Sequence, residues 1–302
     1  KFILVDDVLD TLENLAKHHR ILLNIPIIGI TGTNGKTTSK ELINAVLSSE
    51  KCCYATKGNF NNHIGVPLSI LEITSSHEIA IIEMGANHIG EIAFLCNISQ
   101  PIFGVITNIG KAHLEGFGSF ESVIKAKSEL YNYIQKNNGN VFVNNEAELL
   151  IELADNIRKT TYGKNGDYKG SIASNTPFVS VQFGENSIIS NLIGDYQFYN
   201  IMLAISVGKY FEITDKNIKK AIESYTPKNN RSEIIKTKSN TIILDAYNAN
   251  PSSMTAMLHS FAKQNYEHKL CVLGDMLEMG ETSLKEHQSI IDLVNELKLE
   301  SI

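Results

Sequence analysis

The run Gly32-Thr33-Asn34-Gly35-Lys36-Thr37-Thr38 sits between a short apolar stretch (residues 25–30) and an amphipathic one that begins at Ser39. Glycines in such a turn let backbone N–H groups converge on phosphate oxygens, and a helix starting at the turn adds the positive end of its dipole. Lys36 would reach the outer phosphates of a nucleotide, and the Thr37 hydroxyl could ligate Mg²⁺. The spacing is Gly32-x-x-Gly35-Lys36-Thr37, shorter than the common phosphate-loop pattern, which argues against an ordinary kinase.

Further groups with chemical potential follow strand-like runs. Glu83 ends the apolar segment Ala80-Ile81-Ile82, and ligands of open α/β sheets bind beyond the carboxyl ends of strands, so its carboxylate could face a loop-bound Mg²⁺ or simply be a solvated strand-end acid. His113, within 108–118, follows another strand end; a lone histidine can equally be structural. On a helix advancing about 100° per residue from Ser119, Val123, Ile124, Leu130, Tyr131 and Ile134 form one apolar stripe. Lys127 falls in its middle and Lys125 points away. Such a lysine either lies along the apolar surface with its ammonium in water, or is desolvated and becomes a neutral nucleophile. Two amide-rich segments suit a polar ligand or are plain turns: one carries Asn59, Asn61 and Asn62, the other Asp245, Asn248 and Asn250.

Elements able to position these groups are readable as an α/β alternation. Residues 25–30, 79–83, 103–107 and 141–143 read as strands of a mostly parallel sheet, with helices over 39–49, 120–135 and 146–157. From 160 to 192 the pattern weakens into a small antiparallel excursion before a helix over 200–210. After Pro227-Lys228-Asn229-Asn230 the alternation restarts, with strands over 241–244 and 269–273 and helices over 252–263 and 283–297, so a domain boundary is expected at 229/230. Both ends of the chain read as cut.

Composition narrows the class. The 302 residues are 43% hydrophobic and 20% charged with six prolines, a foldable balance. No apolar run approaches the about 20 residues needed to cross a bilayer. Thirty-three acidic against 27 basic residues give net −6 without a Lys/Arg run, which excludes a nucleic-acid footprint. Four cysteines fit neither a metal spacing nor a disulfide framework, so a reducing cytoplasm is expected.

Taken in order, the strings TGTNGKTT (31–38), GNFNNHIGVP (58–67), EMGANHIGEI (83–92), NIGKAHLEGFG (108–118), AKSEL (126–130), DAYNANPSSM (245–254) and LGDMLEMGE (273–281) resemble the Mur ligase family over residues 20–290. Within it they look most like the members that add D-alanyl-D-alanine to UDP-N-acetylmuramoyl-tripeptide. The resemblance implies that 1–24 end an N-terminal UDP-sugar domain, that 25–229 form a central P-loop ATPase domain, and that 230–302 are part of a C-terminal dinucleotide-fold (Rossmann-like) domain. It implies that Gly32, Thr33, Asn34, Gly35, Lys36, Thr37 and Thr38 hold ATP, that Thr37 and Glu83 ligate one Mg²⁺, and that His113 with a carbamylated Lys127 serves a second. Asn200 would contact adenine, Asp245 the ribose and Arg231 the transferred phosphate. Where the family has a His-Asn pair this chain has Tyr196-Gln197, whose amide could substitute. Asn59, Asn61, Asn62, Asn248 and Asn250 would meet the other substrates. The implied enzyme is a cytoplasmic, monomeric ligase of peptidoglycan precursor synthesis that forms an amide through an acyl phosphate. Two alternatives stand: another ligase of the superfamily, such as a folylpolyglutamate synthetase-like enzyme, and a nucleotide-binding regulator without ligation.

Overall fold

The computed structural model describes residues 2–111, 114–228 and 230–301. Helix α1 (Val8–Leu22) is capped by Asp7, whose carboxylate accepts the Asp10 N–H at 2.8 Å. Then come β1 (Ile27–Thr31), α2 (Lys36–Leu47), β2 (Cys53–Ala55), α3 (Gly65–Glu72), β3 (Ile79–Glu83), α4 (Glu91–Ser99), β4 (Phe103–Ile106), α5 (Leu114–Phe117), α6 (Phe120–Lys136), β5 (Asn140–Asn144), α7 (Glu148–Leu153) and β6 (Arg158–Gly163). The chain continues through β7 (Tyr168–Lys169), β8 (Ser171–Ser174), β9 (Ser180–Phe183), β10 (Asn186–Ile189), α8 (Gln197–Tyr210) and α9 (Asp215–Ser224). It closes with β11 (Glu233–Lys236), β12 (Thr241–Leu244), α10 (Pro251–Ala262), β13 (Leu270–Cys271), α11 (Ser283–Glu296) and β14 (Glu300–Ser301).

Strands β2-β3-β1-β4-β5-β6-β7 form one seven-stranded sheet in that spatial order, every neighbouring pair parallel. β1 and β3 are buried at every residue, which is why they are unbroken apolar runs rather than alternating ones. Ile27, Ala80 and Ile82 face a core shared with α1, α3, α4 and α6; Ile28, Ile30, Ile81 and Val105 face one shared with α2, α8 and α9. Gly29 and Gly104 let α6 lie close on the sheet. A Cβ on Gly104 would stand 2.9 Å from Ile134 Cγ1, and one on Gly29 3.1 Å from Leu130 Cδ1. Lys127 lies one turn before Leu130 on that same helix, so this close packing carries it to the carboxyl ends of β1 and β4.

Several expected bounds shift for identifiable reasons. β1 begins at Ile27, because Pro26 has no N–H to give the ladder. α2 begins at Lys36 rather than Ser39, with Gly35 as N-cap at φ 78°. The helix expected over 146–157 contracts to Glu148–Leu153, and the one expected from Asn200 begins at Gln197. The excursion after residue 160 is split: β6 and β7 extend the parallel sheet, and only β8, β9 and β10 form an antiparallel trio. Helix α9 was not anticipated, although Ile218, Ala221 and Ile222 carry the i, i+3, i+4 signature. Residues 233–301 have their own small core of Leu258, Cys271, Met276, Met279, Ile290 and Val294, beside the antiparallel pair β11–β12 and the parallel pair β13–β14.

α1 packs on α3 and α4, with Ala16 in the same core as Ile70 and Leu95. Arg20 fastens it. Its buried guanidinium donates to the carbonyls of Ser99 (2.8 Å), Leu23 (2.8 Å), Gln100 (3.2 Å) and Ile25 (3.3 Å), satisfying the end of α4 and the turn into β1 together. Arg20→Met leaves those acceptors unpaired and is expected to cost roughly 2–4 kcal/mol of stability. Arg20→Lys should recover only part, since an ammonium cannot fork to four carbonyls. Urea midpoints of the three proteins check this; equal midpoints for wild type and Arg20→Met would contradict it.

Candidate active site

The strand order places β1 between β3 and β4, and the crevice at their carboxyl ends holds a cleft of about 790 Å³. Its floor is the loop after β1. Gly32 adopts φ 142°, and a Cβ there would collide with the Thr107 hydroxyl; Gly35, at φ 78°, would set a Cβ 3.0 Å from Asn200 Oδ1. The segment after β4 holds the loop in shape. Thr33 N donates to Asn108 O at 3.0 Å, Asn34 N to Asn108 Oδ1 at 2.9 Å, and Thr107 Oγ1 and Asn108 Nδ2 donate to Asn34 O at 2.6 and 2.9 Å. The Lys36 ammonium lies over the loop, donating to the Gly32 and Thr33 carbonyls at 2.8 and 3.0 Å. Burial and the nearby Arg231 cation lower its pKa, while Glu83 opposes the shift. Thr38 is buried and also lines the cleft.

Glu83 is 1% exposed at the end of β3. Its Oε1 accepts from Thr37 Oγ1 (3.2 Å) and Asn61 Nδ2 (3.0 Å), whereas Oε2 is buried without a hydrogen-bond donor. Among the described residues no three His, Cys, Asp or Glu side chains converge on one point. Thr37 and Glu83 are nonetheless hard oxygen donors of the kind that hold Mg²⁺ together with substrate phosphates, and the orphaned Oε2 fits such an ion. His113 lies outside the described residues.

Lys127 is 2% exposed and lines the same cleft, with its Nζ 5.7 Å from the Phe117 ring centre; Lys125 on the same helix is exposed. The carboxylates nearest in effect, Glu91 and Glu129, are spent on backbone N–H groups: Glu91 on Asn87 and His88, Glu129 on Gly90 and Ala93. Burial first, and the Lys36 cation second, bring the Lys127 pKa down to about 7. The lysine is therefore the desolvated one of the two readings open from helix geometry.

Asn200 Nδ2 donates to Gln197 Oε1 at 2.7 Å, and Asn200 Oδ1 accepts from Ser39 at 3.0 Å, a chain running beneath Gly35. The amide of Gln197 thus partners Asn200. Across the cleft Arg231 stacks on Tyr247, its guanidinium carbon 3.7 Å from the ring centre. Asp245, exposed at that wall, accepts the Ser232 N–H at 2.9 Å. Asn250 caps α10 in a reciprocal box with Ser253 and reaches the loop, Nδ2 donating to Asn34 Oδ1 at 2.7 Å. Asn62 caps the turn into α3 through the Ile64 and Gly65 N–H groups, and Asn248 accepts the Ala249 N–H; both line the cleft. Asn59 is exposed and does not line it.

Sequence reasoning missed Lys40, Asn108 and Tyr247. Lys40 had a signal: it falls at i, i+3, i+7 with Ile43 and Leu47, the wheel position that exposed Lys127. Asn108 and Tyr247 act through contacts far apart in sequence, which periodicity does not report.

The lowered Lys127 pKa has a sign that can be tested. Between about 7 and the ordinary 10.5, the unfolded chain holds a proton on this amine and the folded chain does not. Stability therefore rises with pH across that window, by at most about 1.4 kcal/mol per unit. In CO₂-free buffer, wild type should gain on the order of 2 kcal/mol relative to Lys127→Met between pH 7 and 9, read from urea unfolding. Parallel curves would place the amine in water.

The architecture has known counterparts. Residues 30–208 match the Mur ligase middle domain, and residues 230–299 the Mur ligase glutamate ligase domain. The UDP-N-acetylmuramoyl-tripeptide--D-alanyl-D-alanine ligase of Bacillus subtilis is 36% identical over 307 residues, covering 99% of this chain and 67% of that protein. Among solved structures, MurF from Acinetobacter baumannii superposes with a TM-score of 0.87 at 30% identity, covering 97% of this chain and 66% of that one. The MurF ligase of Thermotoga maritima, solved in complex with ADP, gives 0.85 at 28% identity, covering 97% and 70%. The chain thus spans about two thirds of the length of these relatives. Among its described residues no helix is long and apolar enough to cross a membrane. With a braced phosphate loop, an acid at the end of β3 and both domain matches in sequence order, the chain belongs to the Mur ligase family.

Proposed function

We propose that the chain is the ATP-binding unit and part of the dipeptide-binding unit of a ligase that joins D-alanyl-D-alanine to UDP-N-acetylmuramoyl-tripeptide, working as a single copy in the cytoplasm during peptidoglycan precursor synthesis. The observation that carries this reading is the convergence of Lys36, the Thr37–Glu83 pair, Lys127 and Arg231 on one cleft. In the reaction, an oxygen of the tripeptide carboxylate attacks the γ-phosphorus of ATP and ADP leaves. The amine of D-alanyl-D-alanine then attacks the acyl carbon of the resulting acyl phosphate, phosphate leaves, and the amide nitrogen loses a proton.

Each step sets a demand that these residues can meet. Bringing a carboxylate to a triphosphate opposes like charges, and Lys36 and Arg231 supply fixed cations on either side. Tyr247 keeps the Arg231 plane oriented. Thr37 and Glu83 would hold a Mg²⁺ ion, which spreads the developing charge on the transferred phosphoryl group. Asn34, bonded to Asn250 and Ser252, joins the loop to the C-terminal unit, so that closure excludes water from the acyl phosphate.

In the same reading the neutral Lys127 amine adds CO₂: a nitrogen–carbon bond forms, one proton passes to water, and a carbamate anion that the Lys36 cation attracts takes the place of the neutral amine. That anion, with His113, would serve a second Mg²⁺, since hard oxygens suit the ion. Adenine and ribose would lie toward Asn200, Gln197 and Asp245, and the other substrates toward Asn61, Asn62 and Asn248.

Phosphate release by the full-length protein with UDP-N-acetylmuramoyl-tripeptide should depend on D-alanyl-D-alanine and stay at background with L-glutamate or diaminopimelate. Release driven by L-glutamate instead would transfer the chain to another ligase of the superfamily. Lys36→Ala should abolish ATP turnover while the circular dichroism spectrum stays that of wild type; full turnover at saturating ATP would sink the site. Lys127→Ala should lose most activity, with partial rescue by short carboxylates, whereas Lys125→Ala should retain it. Equal activity of those two variants would remove the carbamate.

A further inference from the structure

The geometry assigns to Lys40 a role in positioning Glu83, an inference that rests on the reading of the cleft as a Mg²⁺-nucleotide site. Lys40 is 0% exposed on the second turn of α2. Its ammonium donates to the Thr56 carbonyl at 2.6 Å and stands 3.0 Å from Glu41 Oε1 and 3.7 Å from Glu83 Oε2. Thr56 closes a triangle, because its hydroxyl accepts the Glu83 N–H at 3.0 Å. The backbone of Glu83 and the cation beside its side chain are therefore fixed by one residue after β2.

The two carboxylate oxygens of Glu83 are treated differently. Oε1 has two neutral donors, Thr37 and Asn61. Oε2 has no hydrogen bond, and the nearest cation stands beyond bonding distance. An ammonium so placed compensates the charge of a buried carboxylate without using up the lone pairs of Oε2, and keeps that oxygen from swinging toward solvent. An ammonium within hydrogen-bonding distance would saturate the oxygen, and an apolar neighbour would leave a buried charge uncompensated. A neutral side chain such as glutamine could supply the donor for the Thr56 carbonyl, and the pair with the part-exposed Glu41 is screened by solvent. The benefit of the charge falls on Glu83.

The test separates this role from a structural one. In the full-length protein, binding of the fluorescent nucleotide mant-ADP is titrated with MgCl₂ for wild type, Lys40→Met, Glu83→Gln and the double variant. Lys40→Met should bind mant-ADP without metal as wild type does, yet need at least tenfold more Mg²⁺ for half-saturation of the metal-dependent signal. In the Glu83→Gln background the same substitution should change nothing. Glu41→Gln, which removes the other ion pair, should leave the Mg²⁺ requirement within twofold of wild type. Should Lys40→Met not fold, Lys40→Gln keeps a donor for the Thr56 carbonyl, loses the charge, and is read the same way. A wild-type Mg²⁺ requirement in the charge-free variant, or an equal shift in Glu41→Gln, overturns the role of Lys40 alone. A wild type with no Mg²⁺-dependent binding at all overturns the reading of the cleft as well.

Discussion

A loop of four residues between a strand and a helix can offer phosphate its last N–H group and the start of the helix only if the rest of its backbone is held in one shape, and so short a loop has few bonds of its own to enforce that shape. Here it is enforced from outside. Thr107 and Asn108, at the end of the neighbouring strand, take up the carbonyl of Asn34 and donate or accept at Thr33 and Asn34. The constraint is mutual: Gly32 must lack a side chain because Thr107 occupies that space. Parallel pairing of β1 with β4 sets the distance between the two segments, and burial of both strands sets the pairing. Through this one contact the hydrophobic packing of the sheet reaches the groups that would touch nucleotide.

The α/β character, the loop and the principal strands were legible because each depends on local sequence: an unbroken apolar run for a strand buried on both faces, glycines where φ turns positive, a wheel stripe for α6. Lys127 was legible for the same reason. Lys40 obeys the same geometry but is surrounded in sequence by Thr38, Ser39 and Glu41, a polar stretch that reads as a solvated helix start. Its buried partners, Thr56 after β2 and Glu83 at the end of β3, are brought to α2 by the chain's later course. The split of residues 158–174 between two sheets was equally hidden, since a strand's partner is chosen by shape and distance rather than by its own residues.

Charge in the cleft follows a single logic. Two lysines, Lys36 and Lys127, and Arg231 crowd one space with one buried acid, Glu83. Burial first, and neighbouring cations after it, make each of these charges costly, as the lowered pKa values of Lys36 and Lys127 express. A highly anionic ligand relieves that tension, so the site is built to be comfortable only when filled.

The amide pair between Asn34 and Asn250 has a consequence for affinity. Asn34 belongs to the loop, Asn250 to the first turn of α10, and they lie 216 residues apart. Swinging the C-terminal unit away must break the bonds of Asn34 to Asn250 and Ser252, leaving the tip of the loop without its outer partners. Thermodynamic reciprocity then requires that whatever steadies the tip also favours the shut arrangement, and to the same degree. For a nucleotide held by that loop, affinity and closure are then two faces of one coupled equilibrium.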